Sequence, residues 1–176
     1  MAITVFMVRV PEAENMVDPL RKHYDSRAVA GAPAHIVILS PFKAPELITD
    51  GTIQKASKVF SSFHPFIFFL NDIGRWPETT FLLARPAHYF TDMTNAICEE
   101  FPAYRPYSGM YDEVIPHLTI ADKNAENADI AEYGVRRVLE RHGPIEAKCT
   151  AVDLMENSSG AWKTMHTFSL AEETNS

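Results

Sequence analysis

Two histidines begin two short apolar segments that are rich in β-branched residues. His35 lies two residues after a proline in segment 33–38, and His117 directly follows a proline in segment 115–120. A pair of imidazoles suits phosphoryl chemistry, because a neutral histidine can take a proton from an attacking hydroxyl or water while a protonated one donates to the leaving oxygen. An unperturbed histidine titrates near pH ~6.5, so both forms are available at neutral pH. This mechanism needs no metal ion.

Thr119 is the third residue of the candidate site. Side chains alternate along a strand, so His117 and Thr119 project from one face of the second segment, and the Thr119 hydroxyl can donate to a phosphate oxygen. His35 and Val37 share a face of the first segment in the same way. The apolar residues between them would anchor each strand to a core, which would hold the two imidazoles rigidly.

The elements that position the histidines repeat the order strand, helix, histidine strand, helix, strand. Apolar periodicity and breaker residues predict the first set as strand 3–10, helix 12–24, the first histidine strand, a helix that Thr49 or Asp50 caps, and strand 66–73. The second set is strand 79–84, a helix from residue 87, the second histidine strand, helix 125–142 and strand 145–155. After a turn at 157–160, strand 162–170 completes a hairpin.

This repeat predicts an α+β fold with two pseudo-symmetric β-α-β-α-β lobes. Antiparallel-rich sheets face a central cleft, the helices lie outside, and the two histidines meet across the cleft. The chain, 1–176, is then one two-lobed domain with approximate halves 1–76 and 77–170, and the final strands can cross between the lobes. Residues 171–176 are polar and are expected to fray.

Composition narrows the class of ligand and the location. The formal net charge of −7 gives no overall basic field for a long nucleic-acid duplex, whereas a small nucleotide or an RNA end is compatible with it. The longest strongly apolar stretch, 66–70, is far too short to cross a membrane, and no basic region precedes the N-terminal apolar run. The strong metal spacings and a Gly-rich phosphate loop are absent from the sequence. We therefore expect a monomeric cytoplasmic protein without a metal or other cofactor.

These features resemble the two-histidine (2H) phosphoesterase superfamily, in particular its bacterial branch of 2′–5′ RNA ligase-like or cyclic phosphodiesterase-like proteins. The resemblance is carried by PAHIVILSPF at 33–42 and PHLTIA at 116–121, with support from residues 74–77, 101–102 and 106–107. It covers nearly the whole chain. It implies a bilobal α/β fold and metal-independent chemistry on 2′,3′-cyclic or 2′–5′ phosphodiester bonds. It also implies that His35 and His117 are the catalytic pair and that Thr119 contacts the phosphate.

One position departs from the family pattern. Val37 stands where the family usually has threonine or serine, and valine copies the shape of threonine without a hydroxyl donor. The loss of one donor to a charged group costs about 1.5–3 kcal/mol. Ser40 is not an obvious replacement, because an odd offset from His35 places it on the opposite face of a regular strand. The candidates for another phosphate donor are Arg75, Tyr107, Tyr111 and Lys163.

The sequence leaves more than one function open. The leading prediction is a phosphodiesterase that acts on a small cyclic phosphate or on a 2′–5′ linked nucleotide or RNA end. RNA ligation is the reverse reaction at the same site, and the sequence decides neither the direction nor which histidine is the acid. Val37 keeps a nucleotide- or RNA-binding module with weak or no catalysis as an alternative, and a structural protein with two packed histidines is a third.

Overall fold

The computed structural model describes residues 1–172, whose eight strands form two four-stranded antiparallel sheets. The first sheet has the spatial order β2 (His35–Leu39), β1 (Thr4–Arg9), β7 (Ala151–Glu156) and β8 (Lys163–Ser169). The second has the order β5 (His117–Ala121), β4 (Thr79–Arg85), β3 (Phe66–Trp76) and β6 (Ile145–Cys149). The predicted α+β fold with antiparallel sheets is confirmed.

Four long helices pack on the two sheets. They are α1 (Pro11–Tyr24), α3 (Asp50–Phe60), α4 (His88–Glu100) and α5 (Ala125–His142). α1 and α5 pack together on the second sheet, whereas α3 and α4 pack together on the first. The sequence did not predict the short helix α2 (Ser26–Val29) or the 3₁₀ turns at Pro45–Leu47 and Pro106–Gly109. No helix within residues 1–172 combines the length and the apolar character that a transmembrane span requires.

Capping residues set the ends of two helices. The Thr49 side chain accepts a hydrogen bond from the backbone of Thr52, so α3 begins directly after Thr49. The Asn124 side chain accepts one from Asn127 in the same way at the start of α5. α5 stops at Gly143, whose φ of 75° is strained for residues with a side chain. The sequence therefore marks these boundaries through local chemistry.

The two sheets exchange strands between the halves of the sequence. β3, which closes the first repeat, pairs with β4 and β6 in the second sheet. β7 pairs with β1 and β8 pairs with β7, so the final strands return to the first sheet. Each sheet therefore contains strands from both halves, 1–76 and 77–170, and the molecule does not divide at residue 76.

The prediction of one continuous strand over 145–155 is wrong. The structure has two strands, β6 and β7, which lie in different sheets on either side of Thr150. β6 alternates buried and exposed residues, as an edge strand does, whereas β7 is buried along most of its length because it lies inside its sheet. The sequence predicts that residues 171–176 fray. The backbone N–H of Ala171 donates to the carbonyl oxygen of Phe63 at 2.7 Å. Residues 173–176 lie outside the described part of the chain.

The first sheet has two different faces. One face contributes to the main core under α3 and α4, and the other carries a smaller apolar cluster around Met7. The register of β1 against β2 pairs Arg9 with His35 and Met7 with Val37, so His35 lies on the side of the smaller cluster. β2 and β5 contact each other where the two sheets meet. The strands that begin with the two histidines therefore lie side by side at the centre of the molecule.

Candidate active site

His35 and His117 occupy equivalent positions, since each is the first residue of its strand, β2 or β5. β2 and β5 contact each other, and the positive charge of a protonated His117 contributes to a lowered pKa of the His35 imidazole. His35 is buried, with 5% of its surface exposed, whereas His117 is half-buried. The structure thus brings into contact the two histidine strands, which lie in separate halves of the sequence.

Both rings are oriented by the same kind of hydrogen bond. His35 Nδ1 lies 2.7 Å from the carbonyl oxygen of Pro33, and His117 Nδ1 lies 2.6 Å from that of Ile115. A carbonyl oxygen can only accept, so the hydrogen must reside on Nδ1 in each ring. In the neutral form of either histidine, Nε2 is therefore the basic nitrogen. Nε2 has no hydrogen-bond partner among residues 1–172, so it is available for proton transfer.

The two histidines differ in how strongly the protein suppresses their charge. Burial lowers the pKa of His35 to about 3, and the positive charges of Arg21, Arg27 and His117 act in the same direction. Burial also lowers the pKa of His117, and the charge of Arg27 again adds to the effect. At neutral pH the His35 imidazole is consequently uncharged.

Acid is expected to destabilise the fold through His35. The folded-state pKa lies below the unfolded value of about 6.5, so this stabilisation is present above pH 6.5 and is lost as the pH falls toward 3. From pH 7 to pH 4 the free energy of unfolding should fall by about 3 kcal/mol from this group. Urea denaturation at pH 7 and at pH 4 measures this fall in the free energy of unfolding. In His35→Asn the amide N–H can still donate to Pro33, and the free energy of unfolding should fall less between pH 7 and pH 4 than in the wild type. An equal fall in the variant would contradict the assignment of this pH dependence to His35.

Two aromatic rings pack against the His117 imidazole. The Trp76 ring centroid lies 5.1 Å away in an edge-on arrangement, and that of Phe81 lies 4.9 Å away. Phe81 in turn lies over Gly74, where an added Cβ would approach the ring to 2.1 Å. Trp76 is 42% exposed, so its ring covers the imidazole from the solvent side and is not part of the buried core. A glycine at position 74 is therefore needed for Phe81 to reach His117.

Thr119 and Val37 differ as expected from their chemistry. Thr119 pairs with Phe81 across the strands, which places it on the same face as His117. Its hydroxyl has no hydrogen-bond partner among residues 1–172, so it is available to a ligand. Val37 packs against the apolar cluster around Met7 and offers no donor. Two residues after its histidine, β2 therefore lacks the hydroxyl that β5 has.

The structure separates the four candidates for the missing donor. Arg75 forms ion pairs with Asp129 and Glu132 of α5 at 2.8 and 2.7 Å, which occupies its guanidinium. Lys163 begins β8, at the opposite edge of the first sheet from β2. The Arg75 guanidinium is therefore taken up by two carboxylates, and Lys163 lies three strands away from β2 in the first sheet.

The two tyrosines belong to a strained loop beside the cleft. Tyr107 has a φ of 50° and Ser108 a φ of 56°, and two successive left-handed residues other than glycine are uncommon. The Tyr107 backbone N–H donates to Ser40, directly after β2, at 2.6 Å. Burial raises the pKa of the Tyr107 phenol, on which the charge of Arg27 acts in the opposite direction. Tyr111 is largely exposed, and its ring lies edge-on to that of Tyr107, with 5.6 Å between the ring centroids.

Arg27 is the residue that the sequence analysis missed. It lies in α2, and its charge acts on His35, His117 and Tyr107. The one local signal is Asp25, whose side chain accepts from the Arg27 backbone N–H at 3.0 Å, a pattern typical of a helix N-cap. That signal predicts a helix start and says nothing of a site. No group of three or more His, Cys, Asp or Glu side chains within residues 1–172 is arranged to hold a metal ion.

Comparison with known proteins places this geometry in a family. The sequence matches the 2′-5′ RNA ligase superfamily over residues 9–161, and no curated protein sequence matches it significantly. Among solved structures, E. coli LigT in its apo form has a TM-score of 0.63 and 17% identity, covering 97% of this chain and 98% of that one. TT0787 of Thermus thermophilus has a TM-score of 0.62 and 16% identity, covering 97% and 99%.

A further structure connects the fold to a nucleotide. E. coli LigT complexed with 3′-AMP has a TM-score of 0.61 and 16% identity, covering 97% of this chain and 98% of that one. At these identities the likeness shows the fold alone, whereas the sequence match extends over most of the chain. The chain belongs to the 2′-5′ RNA ligase superfamily of 2H phosphoesterases.

Proposed function

We propose that the protein is a metal-independent phosphodiesterase that acts on 2′,3′-cyclic phosphates or on 2′–5′ linked nucleotides and RNA ends. One observation carries this proposal: β2 and β5 contact each other, and each begins with a histidine whose Nδ1 is fixed by a carbonyl and whose Nε2 has no hydrogen-bond partner among residues 1–172. Membership of the superfamily and the 3′-AMP complex of E. coli LigT support the same class of substrate.

The geometry favours different roles for the two histidines. His35 is neutral, so its Nε2 takes the proton from the attacking water. The water oxygen bonds to phosphorus, the bond from phosphorus to one ribose oxygen breaks, and His117 Nε2 gives its proton to that oxygen. A bound phosphate anion favours the protonated form of the more exposed His117. The hydroxyl of Thr119 donates to a phosphate oxygen as negative charge develops there.

Hydrolysis of a substrate panel is the direct test. Nucleoside 2′,3′-cyclic phosphates and 2′–5′ dinucleotides should be hydrolysed at equal rates with and without EDTA, and the matched 3′–5′ dinucleotides should be hydrolysed more slowly. Loss of turnover on chelation would contradict the metal-independent mechanism. Binding without turnover across the panel would instead favour the nucleotide-binding module that Val37 suggests. Ligation of a 2′,3′-cyclic phosphate to a 5′-hydroxyl is the reverse of a cleavage in which the neighbouring ribose 3′-hydroxyl, in place of water, attacks phosphorus and the 5′-oxygen leaves. The same acid and base serve both directions, so assays with 2′,3′-cyclic phosphate and 5′-hydroxyl RNA ends decide the direction.

A further inference from the structure

α2 is fastened to both sheets by hydrogen bonds. The backbone N–H and hydroxyl of Ser26 donate to the two oxygens of Asp122 at 2.8 and 2.6 Å, and Asp122 directly follows β5. On the other side, the Trp162 backbone N–H donates to the Ala30 carbonyl at 2.9 Å, directly before β8. The four residues of α2 are thus held in a fixed place between the strand of His117 and the first sheet.

A buried ion pair links α2 to His35. Arg21 and Asp25 are each 1% exposed and form an ion pair at 3.0 Å. The other Asp25 oxygen accepts the backbone N–H of Arg27, and Arg21 also donates to the carbonyl of Pro33 at 3.1 Å. The same Pro33 carbonyl oxygen accepts a hydrogen bond from the Nδ1–H of His35. One buried pair therefore positions the Arg27 backbone and the His35 ring relative to each other.

The Arg27 side chain is the unusual member of this arrangement. It is half-buried, yet its guanidinium has no ion pair and no side-chain hydrogen bond among residues 1–172. Its positive charge acts to lower the pKa of His35, His117 and Tyr107. An unpaired cation beside two imidazoles disfavours their protonated forms, and a bound anion would relieve this repulsion. Arginine also offers a planar pair of donors that matches two oxygens of a phosphate.

We propose that Arg27 binds the substrate phosphate on the side of His35 and so takes the place of the hydroxyl donor that Val37 lacks. The ligand is the singly or doubly charged phosphate group of a nucleotide, held between Arg27 and Thr119 with an imidazole on either side. This inference rests on the proposed location of the active site. It adds a charged group from α2, which is separate from both histidine strands.

The first experiment compares Arg27→Gln and Arg27→Lys with Lys22→Gln. Lys22 is exposed on the neighbouring helix α1 and makes no interaction within residues 1–172, so it is the matched loss of one positive charge. Arg27→Gln should lower kcat/KM for a nucleoside 2′,3′-cyclic phosphate by about 10- to 100-fold. Arg27→Lys should lower kcat/KM less than Arg27→Gln does, and Lys22→Gln should change kcat/KM by less than about twofold. Equal effects of Arg27→Gln and Lys22→Gln would overturn the proposal.

Val37→Thr tests whether the two positions serve the same phosphate. In the Arg27→Gln background, a new hydroxyl at position 37 should restore activity several-fold, and it should do much less when Arg27 is present. Such non-additivity is expected of groups that contact one ligand atom or its neighbours. The same gain in both backgrounds would show that the positions act independently, which would contradict the proposed replacement.

Binding measurements separate this inference from the proposed reaction. Calorimetric titration with 3′-AMP and with inorganic phosphate should give at least tenfold weaker binding for Arg27→Gln at an unchanged melting temperature. If the wild-type protein binds 3′-AMP through Arg27 but hydrolyses no substrate of the panel, the proposed phosphodiesterase function is wrong, whereas the proposed contact between Arg27 and the phosphate stands. Wild-type affinity in a folded Arg27→Gln protein would overturn the contact. Absence of binding by the wild-type protein to both probes would contradict both proposals.

Discussion

Replacement of His117 by alanine is expected to lower kcat on the best cyclic phosphate substrate by about 10²–10⁴-fold, the usual contribution of a general acid or base. His35→Asn should have an effect of similar size, because asparagine can keep the N–H donor to Pro33 while it removes the basic Nε2. His64 is exposed and makes no interaction within residues 1–172, so His64→Ala is the control and should retain full activity.

The double variant distinguishes a coupled pair from two separate contributions. If His35 and His117 act in one transition state, His35→Asn combined with His117→Ala should lose little more than the worse single variant. Multiplication of the two single effects would contradict the shared step. Retention of more than a tenth of the wild-type kcat in both single variants, with substrate binding intact, would remove the catalytic roles altogether. A urea denaturation curve for each variant shows whether the comparison is made between folded proteins.

The local parts of this site are visible in the sequence, because they depend on residues that are close in the chain. A proline next to a histidine, followed by alternating apolar residues, predicts a strand with the imidazole and the residue two positions later on one face. This reasoning places His117 and Thr119 together, and β5 confirms the strand. The repeated order of elements likewise predicts the antiparallel α+β fold, since each element has its own periodicity and breakers.

Strand pairing between distant segments is not visible in the same way. β3 has the composition of a core strand, and nothing within it says that it pairs with the distant β6 rather than with β1. The break at Thr150 is hidden because the residues on both sides favour strands, and only the tertiary fold sends them to different sheets. Secondary-structure patterns therefore predict which elements form, whereas the exchange of strands depends on how they pack.

The positions of arginines are the least predictable feature of the site. Arg75 has the appearance of a phosphate contact in the sequence but pairs with two carboxylates of α5. Arg21 looks like an ordinary surface residue near the end of α1, yet it is among the largest fully buried side chains. A long charged side chain can reach several surroundings from one backbone position, so its role follows from tertiary contacts. Arg27 was missed for this reason.

Loss of Arg21 is expected to have the largest effect on stability. Arg21→Met would leave the Asp25 carboxylate buried without its cation, which typically costs about 3–5 kcal/mol. Burial already raises the pKa of Asp25 while the Arg21 charge opposes that rise, so the variant should raise it further. Urea denaturation at pH 7 measures the loss, and Lys22→Met, at an exposed position of the same helix, should stay within about 0.5 kcal/mol of the wild type.

The companion substitution identifies the cause of that loss. Asp25→Asn removes the charge but keeps an oxygen that can accept the Arg27 backbone N–H, so the Arg21→Met/Asp25→Asn protein should regain part of the stability. Its activity should nevertheless stay low, because the Pro33 carbonyl that orients His35 has lost its second donor. Recovery of stability without recovery of kcat would assign the buried pair a positioning role. A single Arg21→Met variant within about 1 kcal/mol of the wild type would contradict the argument, since a buried carboxylate without its cation destabilises a fold by more than that.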